Sequence, residues 1–202
     1  MTDEDNKAYW THNTAYHKYI LRYAKGRDRA LDVGCGDGLL VRRLSGVCRF
    51  VTGAEPDAVS ADRAMLRLKD VENAEIIKAG FEDYDAEDES FDYITFVASI
   101  HHMDLEYCLR KAKRLLKRGG ALIVVGCAKS RGAGDALLDA ARAIPARIGS
   151  LLHGEAKGGI GVPTETPETD LKTIKNAAKR ELPGVKIRRG LYYRYLLRWT
   201  KP

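Results

Sequence analysis

The 202-residue sequence lacks the features that mark membrane and secreted proteins. No apolar run approaches the roughly 20 residues that a membrane-spanning helix needs. The first residues, M-T-D-E-D-N-K, lack the basic and apolar regions of a signal peptide. We therefore expect a cytoplasmic protein that has no membrane partner.

Cysteine is also sparse, and its spacing excludes two further classes. The four cysteines stand at positions 35, 48, 108 and 127, and no two of them form a C-x-x-C pair. This spacing predicts free thiols and no metal site or disulfide framework. There is no internal repeat or low-complexity segment, and the length favours one domain over residues 1–202.

The net charge of +6 is distributed unevenly. Residues 171–202 contain ten Lys or Arg and one acidic residue, Glu181, whereas residues 1–170 carry a net charge of −3. A basic segment can contact nucleic acid, an anionic membrane or an acidic substrate. Because these basic residues alternate with core-type residues, the pattern favours a solvated surface, and nucleic acid stays an open but less favoured partner.

Strands and helices alternate over the central part of the chain. Predicted strands cover Arg29–Val33, Arg49–Ala54, Ala74–Ala79, Phe91–Val97 and Ala121–Gly126. Predicted helices cover Gly38–Leu44, Asp57–Lys69 and Asp104–Lys117, the last one ended by Gly119 and Gly120. This alternation predicts an α/β fold, a three-layer Rossmann-like sandwich with right-handed crossovers around a parallel sheet.

The two ends of the chain follow different patterns. Tyr9–Tyr23 reads as an aromatic-rich helix ended by Gly26, so residues 1–26 are expected to form a helical cover. Regularity weakens after Cys127, and we predict an insertion over residues 128–170. Beyond it lie a helix over Asp170–Glu181 and strands over Val185–Arg189 and Leu191–Thr200, joined too tightly to be parallel. The sheet is thus expected to have seven strands, mostly parallel, with an antiparallel C-terminal strand.

The stretch A-L-D-V-G-C-G-D-G, residues 30–38, places glycines at alternate positions directly after the first strand. Ligands of open α/β sheets bind at such a loop. A pyrophosphate there would face Asp37, and two like charges 4 Å apart cost on the order of 4 kcal/mol at an effective dielectric of 20. The spacing also differs from the G-x-G-x-x-G of dinucleotide sites. A ligand with an amino-acid end, such as S-adenosylmethionine, would instead place its ammonium at Asp32, so a nicotinamide oxidoreductase is the last choice.

The second strand ends in V-T-G-A-E-P-D, which places Glu55 about 20 residues after the glycines. A carboxylate at this position can accept hydrogen bonds from both ribose hydroxyls of either cofactor. The alternative is an acidic residue that stabilises the N-terminus of the next helix.

Five motifs in order resemble the class I S-adenosylmethionine-dependent methyltransferases. They are L-D-V-G-C-G-D-G, V-T-G-A-E-P-D, A-G-F-E-D-Y, S-F-D-Y-I-T-F-V-A-S-I-H-H-M and L-L-K-R-G-G-A-L-I-V-V-G. The resemblance spans residues 29–127 and implies the fold above, with S-adenosylmethionine as cofactor. It implies cofactor-binding roles for these residues: Asp32, Gly34, Cys35 and Gly36 at the methionine end, Glu55 at the ribose, Pro56 near the adenine, and Val97.

One position departs from the family pattern. Many relatives carry an aspartate that contacts the adenine amine where this chain has Gly80. Phe81 and Glu82, the next two residues, are therefore candidates for the adenine pocket. For Phe81 the alternative is a plain core residue.

The resemblance also indicates where chemistry would occur. His101 and His102 follow the fourth strand, beside both cofactor and acceptor in this fold. Either histidine, His101 in preference, could take a proton from an attacking hydroxyl or amine. Alternatively the pair packs against or caps the next helix, and methyl transfer can proceed without a base when the acceptor is held in line.

The N-terminal helix adds two further candidates. Tyr16 and His17 lie seven and eight residues after Tyr9, on a shared helical face that we expect to close the pocket. The alternative is an aromatic stripe that packs on the sheet. Within the 128–170 insertion, on the acceptor side, Gly154–Pro167 is expected to form a lid or else an inert connection.

Sequence features narrow the class of acceptor. No Asn-Pro-Pro-Tyr-like or Pro-Cys sequence follows the fourth strand, so neither nucleobase amine nor cytosine carbon methylation is indicated. We expect methyl transfer to an O or N atom of a small molecule. The alternatives are an RNA or protein acceptor, and a binding protein that holds the cofactor without methyl transfer.

Overall fold

A computed structural model describes residues 11–129, 168–191 and 194–202. A 3₁₀ helix over Thr14–Tyr16 precedes the first α-helix, and a second one covers Ile100–His102. The α-helices of the described residues are α1 (His17–Ala24), α2 (Leu39–Ser45), α3 (Ala58–Arg67), α4 (Leu105–Leu115) and α5 (Leu171–Glu181). The strands are β1 (Arg29–Val33), β2 (Phe50–Ala54), β3 (Ala74–Ile77), β4 (Phe91–Val97), β5 (Leu116–Cys127), β6 (Lys186–Arg189) and β7 (Arg194–Thr200).

The seven strands form one sheet in the order β3-β2-β1-β4-β5-β7-β6. Strands β1 to β5 are parallel, and β7 is antiparallel to both β5 and β6. The register places Val33 beside Ala54 on one side and Phe96 on the other. The carboxyl ends of β1, β2 and β4 therefore meet at one edge, where the strand order reverses. The predicted α/β fold with an antiparallel C-terminal strand is confirmed.

Two hydrophobic clusters cover the opposite faces of the sheet. In the first cluster, one face of β4, β5 and β7 packs against α4 and α5; it includes Phe96, Leu109 and Ile174. The other joins the opposite faces of the same strands to α1, α2 and α3. In β7, Tyr195, Leu197 and Trp199 lie in the first cluster and Leu196 in the second, so successive side chains of this strand point to opposite faces of the sheet.

The end of α4 differs from the sequence prediction. The helix ends at Leu115, and Gly119 and Gly120 lie inside β5. Pairing between β4 and β5 passes from Phe91–Leu116 directly to Tyr93–Ala121, so the intervening residues bulge out of the ladder. Gly119 has φ of 75°, which lets the chain turn within this bulge. The two glycines thus lie in a bulge within a strand and do not terminate a helix.

The N-terminal helix is shorter than the predicted Tyr9–Tyr23, of which Tyr9 and Trp10 lie outside the described residues. Thr11 and Thr14 exchange hydrogen bonds, each N–H donating to the other's Oγ1 at 2.9 and 3.2 Å. These side-chain bonds hold a local turn, as Thr commonly does near helix starts. The α-helix therefore begins only at His17.

The predicted insertion falls mainly beyond what the structure describes. Residues 130–167, which include the predicted helix over 135–144 and the predicted lid Gly154–Pro167, lie outside the described residues. Among the helices of the described residues, none is long and apolar enough to span a bilayer.

A substitution at Gly53 of β2 tests how tightly the sheet packs beneath the loop between β1 and α2. A Cβ at this position would lie 2.8 Å from Cys35 Sγ, Val41 Cγ2 and Ile76 Cδ1. We predict that Gly53→Ala lowers the free energy of unfolding by about 1–3 kcal/mol, because overpacking forces buried neighbours apart. Urea denaturation measures the change.

Gly46→Ala is the matched control. Gly46 has ordinary helical angles, φ −74° and ψ −8°, and the nearest atom to a new Cβ is 3.5 Å away. This variant should stay within about 0.5 kcal/mol of the parent protein. Equal stability of both variants would contradict the packing described here.

Candidate functional site

The loop between β1 and α2 lies at the switch point of the sheet. Its three glycines, Gly34, Gly36 and Gly38, have φ of 68°, 57° and 76°, angles that residues with a side chain rarely adopt. A Cβ at Gly34 would overlap the Ser99 side chain, and one at Gly38 would lie 2.9 Å from Ala64 Cβ. The alternating glycines therefore permit both the backbone conformation and the close packing of this loop.

Asp32 is the buried acid of this site. Its side chain is 2% exposed, and its Oδ1 has no hydrogen-bond partner among the described residues. Burial raises the pKa of Asp32 to about 8, and the nearby Glu55 carboxylate adds to the rise. A buried acceptor without a partner, next to a second carboxylate, favours a cationic ligand. The ammonium of an amino-acid ligand meets this requirement.

Glu55 connects the end of β2 to the glycine loop. Its Oε2 accepts a hydrogen bond from the Gly36 N–H at 2.8 Å, and its Oε1 accepts one from the Asp57 N–H at 3.0 Å. Each carboxylate oxygen can accept a further bond, so capacity for ribose hydroxyls is left. The alternative role considered for Glu55 was to stabilise the N-terminus of the next helix. Asp57 fills that role, because it caps α3 by accepting a hydrogen bond from the Ser60 N–H at 2.8 Å.

Asp37 does not face a ligand, contrary to the sequence argument against a pyrophosphate. Its Oδ2 forms an ion pair with Arg67 of α3 at 2.6 Å, and Arg67 also donates to its carbonyl. The two side chains are only 13% and 26% exposed. The acid that determines which ligand charge fits this loop is therefore Asp32.

The residues predicted to line the adenine pocket lie in two environments, the buried core and the exposed surface. Phe81 is 2% exposed and packs edge-on against Phe96 at 5.3 Å between ring centroids, so its side chain belongs to the core. The Glu82 carbonyl accepts from Lys111 Nζ at 3.0 Å, while its side chain is exposed. Pro56 is exposed beside Gly80. Only Pro56 and the main chain of 80–82 are therefore placed at the site edge.

Cys35, also predicted at the cofactor, points into the sheet. Its Sγ occupies the space that the missing Cβ of Gly53 leaves open. Burial raises the pKa of the Cys35 thiol, which keeps it protonated. Only the main chain of Cys35 is thus available to a ligand.

The chain bends sharply where β4 ends at Val97. Ala98 has φ of 53°, uncommon for a residue with a Cβ, and its N–H donates to the Val125 carbonyl at 2.8 Å. The next residue, Ser99, donates to the Val33 carbonyl at 2.5 Å and fills the space over Gly34. Strained backbone of this kind clusters at functional sites. Sequence reasoning missed Ser99, although its place directly after β4 was a usable signal.

A cavity of about 750 Å³ opens beyond the carboxyl ends of β4 and β5. It is lined by His101, His102, Glu168, Cys127 and Tyr195, among others. The two histidine rings lie 4.1 Å apart between centroids. The structure therefore brings both predicted catalytic histidines to this cavity, and Ser99, which directly precedes their 3₁₀ helix, donates to the Val33 carbonyl at the start of the glycine loop.

Tyr16 and His17 lie elsewhere and do not share a face over this cavity. The Tyr16 hydroxyl donates to the Leu191 carbonyl at 2.6 Å, which ties the N-terminal segment to the β6–β7 connection. His17 is 5% exposed, and its Nδ1 pairs with Arg43 Nη1 at 2.7 Å. Burial, and then the Arg43 charge, lowers the pKa of His17 to about 3. A histidine so placed serves packing between α1 and α2.

Asp32 gives the stability of the ligand-free protein a defined pH dependence. Its pKa is raised from 3.8 to about 8 on folding, so its contribution is present at acidic pH and is lost as the pH rises toward 8. We predict that Asp32→Asn loses less stability than the parent between about pH 5 and about pH 8. Urea denaturation at several pH values measures the difference.

Asp28→Asn is the control for this prediction, because Asp28 is an exposed aspartate just before β1. The stability of Asp28→Asn should change with pH as the stability of the parent protein does. Parallel stability curves for Asp32→Asn and the parent would show that Asp32 does not titrate as the structure indicates.

Comparisons with known proteins agree with this geometry. A family model described as a methyltransferase domain matches residues 31–124. An uncharacterized methyltransferase of Mycobacterium tuberculosis is 30% identical over 96% of this chain and 98% of its own length. The 27-O-demethylrifamycin SV methyltransferase of Amycolatopsis mediterranei is 34% identical over 47% of this chain and 37% of its own length.

A solved structure shows the same fold. It is phosphoethanolamine N-methyltransferase 2 of Haemonchus contortus, in complex with phosphomonomethylethanolamine and S-adenosylhomocysteine. The TM-score is 0.62 at 18% identity, with 86% of this chain and 38% of that chain covered. The chain belongs to the class I methyltransferases, enzymes that take their methyl group from S-adenosylmethionine.

Proposed function

We propose that this enzyme transfers the methyl group of S-adenosylmethionine to an O or N atom of a small molecule. The cavity lined by His101 and His102 carries this proposal. Its volume of about 750 Å³ falls within the roughly 300–1,000 Å³ that small-molecule sites occupy. A polymer acceptor would need an open groove, whereas this cavity is bounded by residues of five different elements.

Different residues of the chain would bind different parts of the cofactor. Asp32 would hold the ammonium of the cofactor, because its buried Oδ1 accepts no hydrogen bond from the described part of the chain. Glu55 would accept the ribose hydroxyls while it keeps its bonds to Gly36 and Asp57. Pro56 would contact the adenine. Bound S-adenosylmethionine supplies a methyl group on a positively charged sulfur, which needs no further activation.

The cavity side would position the acceptor and accept its proton. Holding two reactants in line can supply roughly 7–11 kcal/mol of the barrier. A hydroxyl or amine acceptor must also lose a proton, and His101 lines the cavity at the point where β4 ends. Burial raises the pKa of Tyr195, so its phenol stays protonated and able to donate a hydrogen bond to an acceptor oxygen.

Named relatives act on both kinds of atom. The relative from Amycolatopsis is an O-methyltransferase by name, and the structural neighbour from Haemonchus is an N-methyltransferase. Both act on small molecules, which supports that class of acceptor here. The choice between O and N stays open.

An RNA acceptor is the second candidate, because α1, β6 and β7 contain basic but no acidic residues. The arginines of this surface already contact aromatic rings. Arg188 lies 5.7 Å from the Tyr19 ring centroid, and Arg198 lies 5.0 Å from the Tyr23 ring centroid. Rings covered by arginine cannot stack on bases, so the small-molecule acceptor is preferred.

We also propose that the enzyme acts in the cytoplasm. All four cysteines are free thiols, as is usual for proteins of that reducing compartment.

Transfer of a labelled methyl group tests the class of acceptor directly. The enzyme and labelled S-adenosylmethionine are incubated separately with small metabolites, RNA and protein fractionated from one cell extract. We expect label in the small-metabolite fraction. Label in RNA, suppressed steeply by salt, would replace the proposal with its alternative. Cofactor binding without transfer to any fraction would indicate a non-catalytic binding protein.

His101→Gln tests the proposed base. We predict that kcat falls by about 10²–10⁴-fold and that the acidic limb of the kcat–pH profile disappears. Affinity for S-adenosylhomocysteine, measured by calorimetry, should stay near that of the parent. His102→Gln, the adjacent histidine, should lower kcat less. An unchanged pH profile for His101→Gln would show that the enzyme acts by positioning alone.

A further inference from the structure

The turn after β3 brings two neighbours into contact distance of the position that a side chain at Gly80 would occupy. The N–H groups of Asp83 and Tyr84 both donate to the Gly80 carbonyl, at 3.2 and 2.9 Å. This turn brings the Asp83 carboxylate back over Gly80. A Cβ built on Gly80 would lie 3.7 Å from Asp83 Oδ2 and 3.9 Å from Pro56 Cβ. The space is thus flanked by a proline ring on one side and a carboxylate on the other.

The neighbours of Asp83 are occupied elsewhere. The Phe81 ring packs in the core against Phe96. Glu82 lines a separate hollow with Asp104, Tyr107 and Arg110, on the side of α4. Within residues 80–84, all of which the structure describes, Asp83 is therefore the carboxylate that returns to the space above Gly80.

This space continues the line of the cofactor site along the strand ends. Asp32 stands at the end of β1, and Glu55, bonded to Gly36, stands at the end of β2. Pro56 follows Glu55 directly, and Gly80 follows β3, the next strand of the sheet. A cofactor with its ammonium at Asp32 and its ribose at Glu55 would place its base between Pro56 and Asp83.

The chemistry of adenine suits a carboxylate at this position. The exocyclic amine of adenine is a hydrogen-bond donor, and hypoxanthine carries an oxygen acceptor in its place. An ionised carboxylate only accepts hydrogen bonds. It would therefore bind the amine and repel the oxygen.

We propose that Asp83 is the specificity residue that recognises the adenine amine of the cofactor, in place of the side chain that Gly80 lacks. The inference rests on S-adenosylmethionine as cofactor and does not depend on which acceptor is methylated. It also assigns a role to the turn, since the backbone bonds to the Gly80 carbonyl hold Asp83 in position. Neither Phe81 nor Glu82 provides this contact with its side chain.

Calorimetry with S-adenosylhomocysteine and its deaminated analogue, S-inosylhomocysteine, tests the proposal. The parent enzyme should prefer the adenosyl compound. Asp83→Ala should weaken binding of that compound by roughly tenfold, as for loss of one hydrogen bond to a charged group, and strengthen binding of the inosyl compound, because the repelling carboxylate is gone. Asp83→Asn should bind both compounds about equally, because an amide both donates and accepts.

A rescue variant and a matched control sharpen the test. The double variant Asp83→Ala with Gly80→Asp should recover the preference, since a Cβ at Gly80 meets only ordinary contacts. Asp85→Ala, an exposed acid of the same loop, should bind both compounds as the parent does. An unchanged preference in Asp83→Ala would overturn the proposal while leaving the cofactor assignment intact. Failure of the parent to bind S-adenosylhomocysteine would overturn both.

Discussion

The site depends on one unfavourable arrangement, the burial of Asp32 close to Glu55 at the ends of β1 and β2. Glu55 is stabilised by N–H groups of Gly36 and Asp57, whereas Asp32 Oδ1 has no such partner among the described residues. Burying an unpaired charge is costly, so Asp32 holds a proton until a cation arrives. The ammonium of S-adenosylmethionine is a cation of the required kind, and its binding would relieve the cost. A ligand with a positive charge at this point, as proposed above, would account for the acid at the end of β1.

Parallel strand register, close packing at glycines and one uncommon backbone angle hold the residues of this site together. Parallel register brings Val33, Ala54 and Phe96 into line, so residues that follow three strands converge at one edge. Close approach of the loop to its neighbours requires glycine at Gly34, where Ser99 fills the space, and at Gly53, where Cys35 does. Ala98 accepts an uncommon φ angle so that the chain turns toward the cavity lined by His101. Through Ser99, which donates to the Val33 carbonyl, the end of β1 is linked to the segment that leads to the cavity.

Residues that directly follow a strand were predictable from the sequence, and residues defined by long-range contacts were not. Asp32, Glu55 and His101 were predicted as site residues because a parallel sheet gathers the ends of its strands. Asp37 was expected to face a pyrophosphate if one were bound, because its partner Arg67 is distant in sequence and could not be foreseen. Tyr16 and His17 were placed over the pocket because their partners, Leu191 and Arg43, cannot be read from helical spacing. The bulge at Gly119 likewise follows from pairing with β4, which local sequence does not reveal.

Proton release on cofactor-product binding tests the account most directly. Calorimetric titration with S-adenosylhomocysteine near pH 7, repeated in buffers of different ionisation enthalpy, gives the number of protons exchanged. With the Asp32 pKa at about 8 before binding, the parent should release close to one proton per site as the ammonium favours the ionised carboxylate. Asp32→Asn should bind more weakly and release none. Binding without proton release, or equal release by the parent and the variant, would contradict the central role given to Asp32.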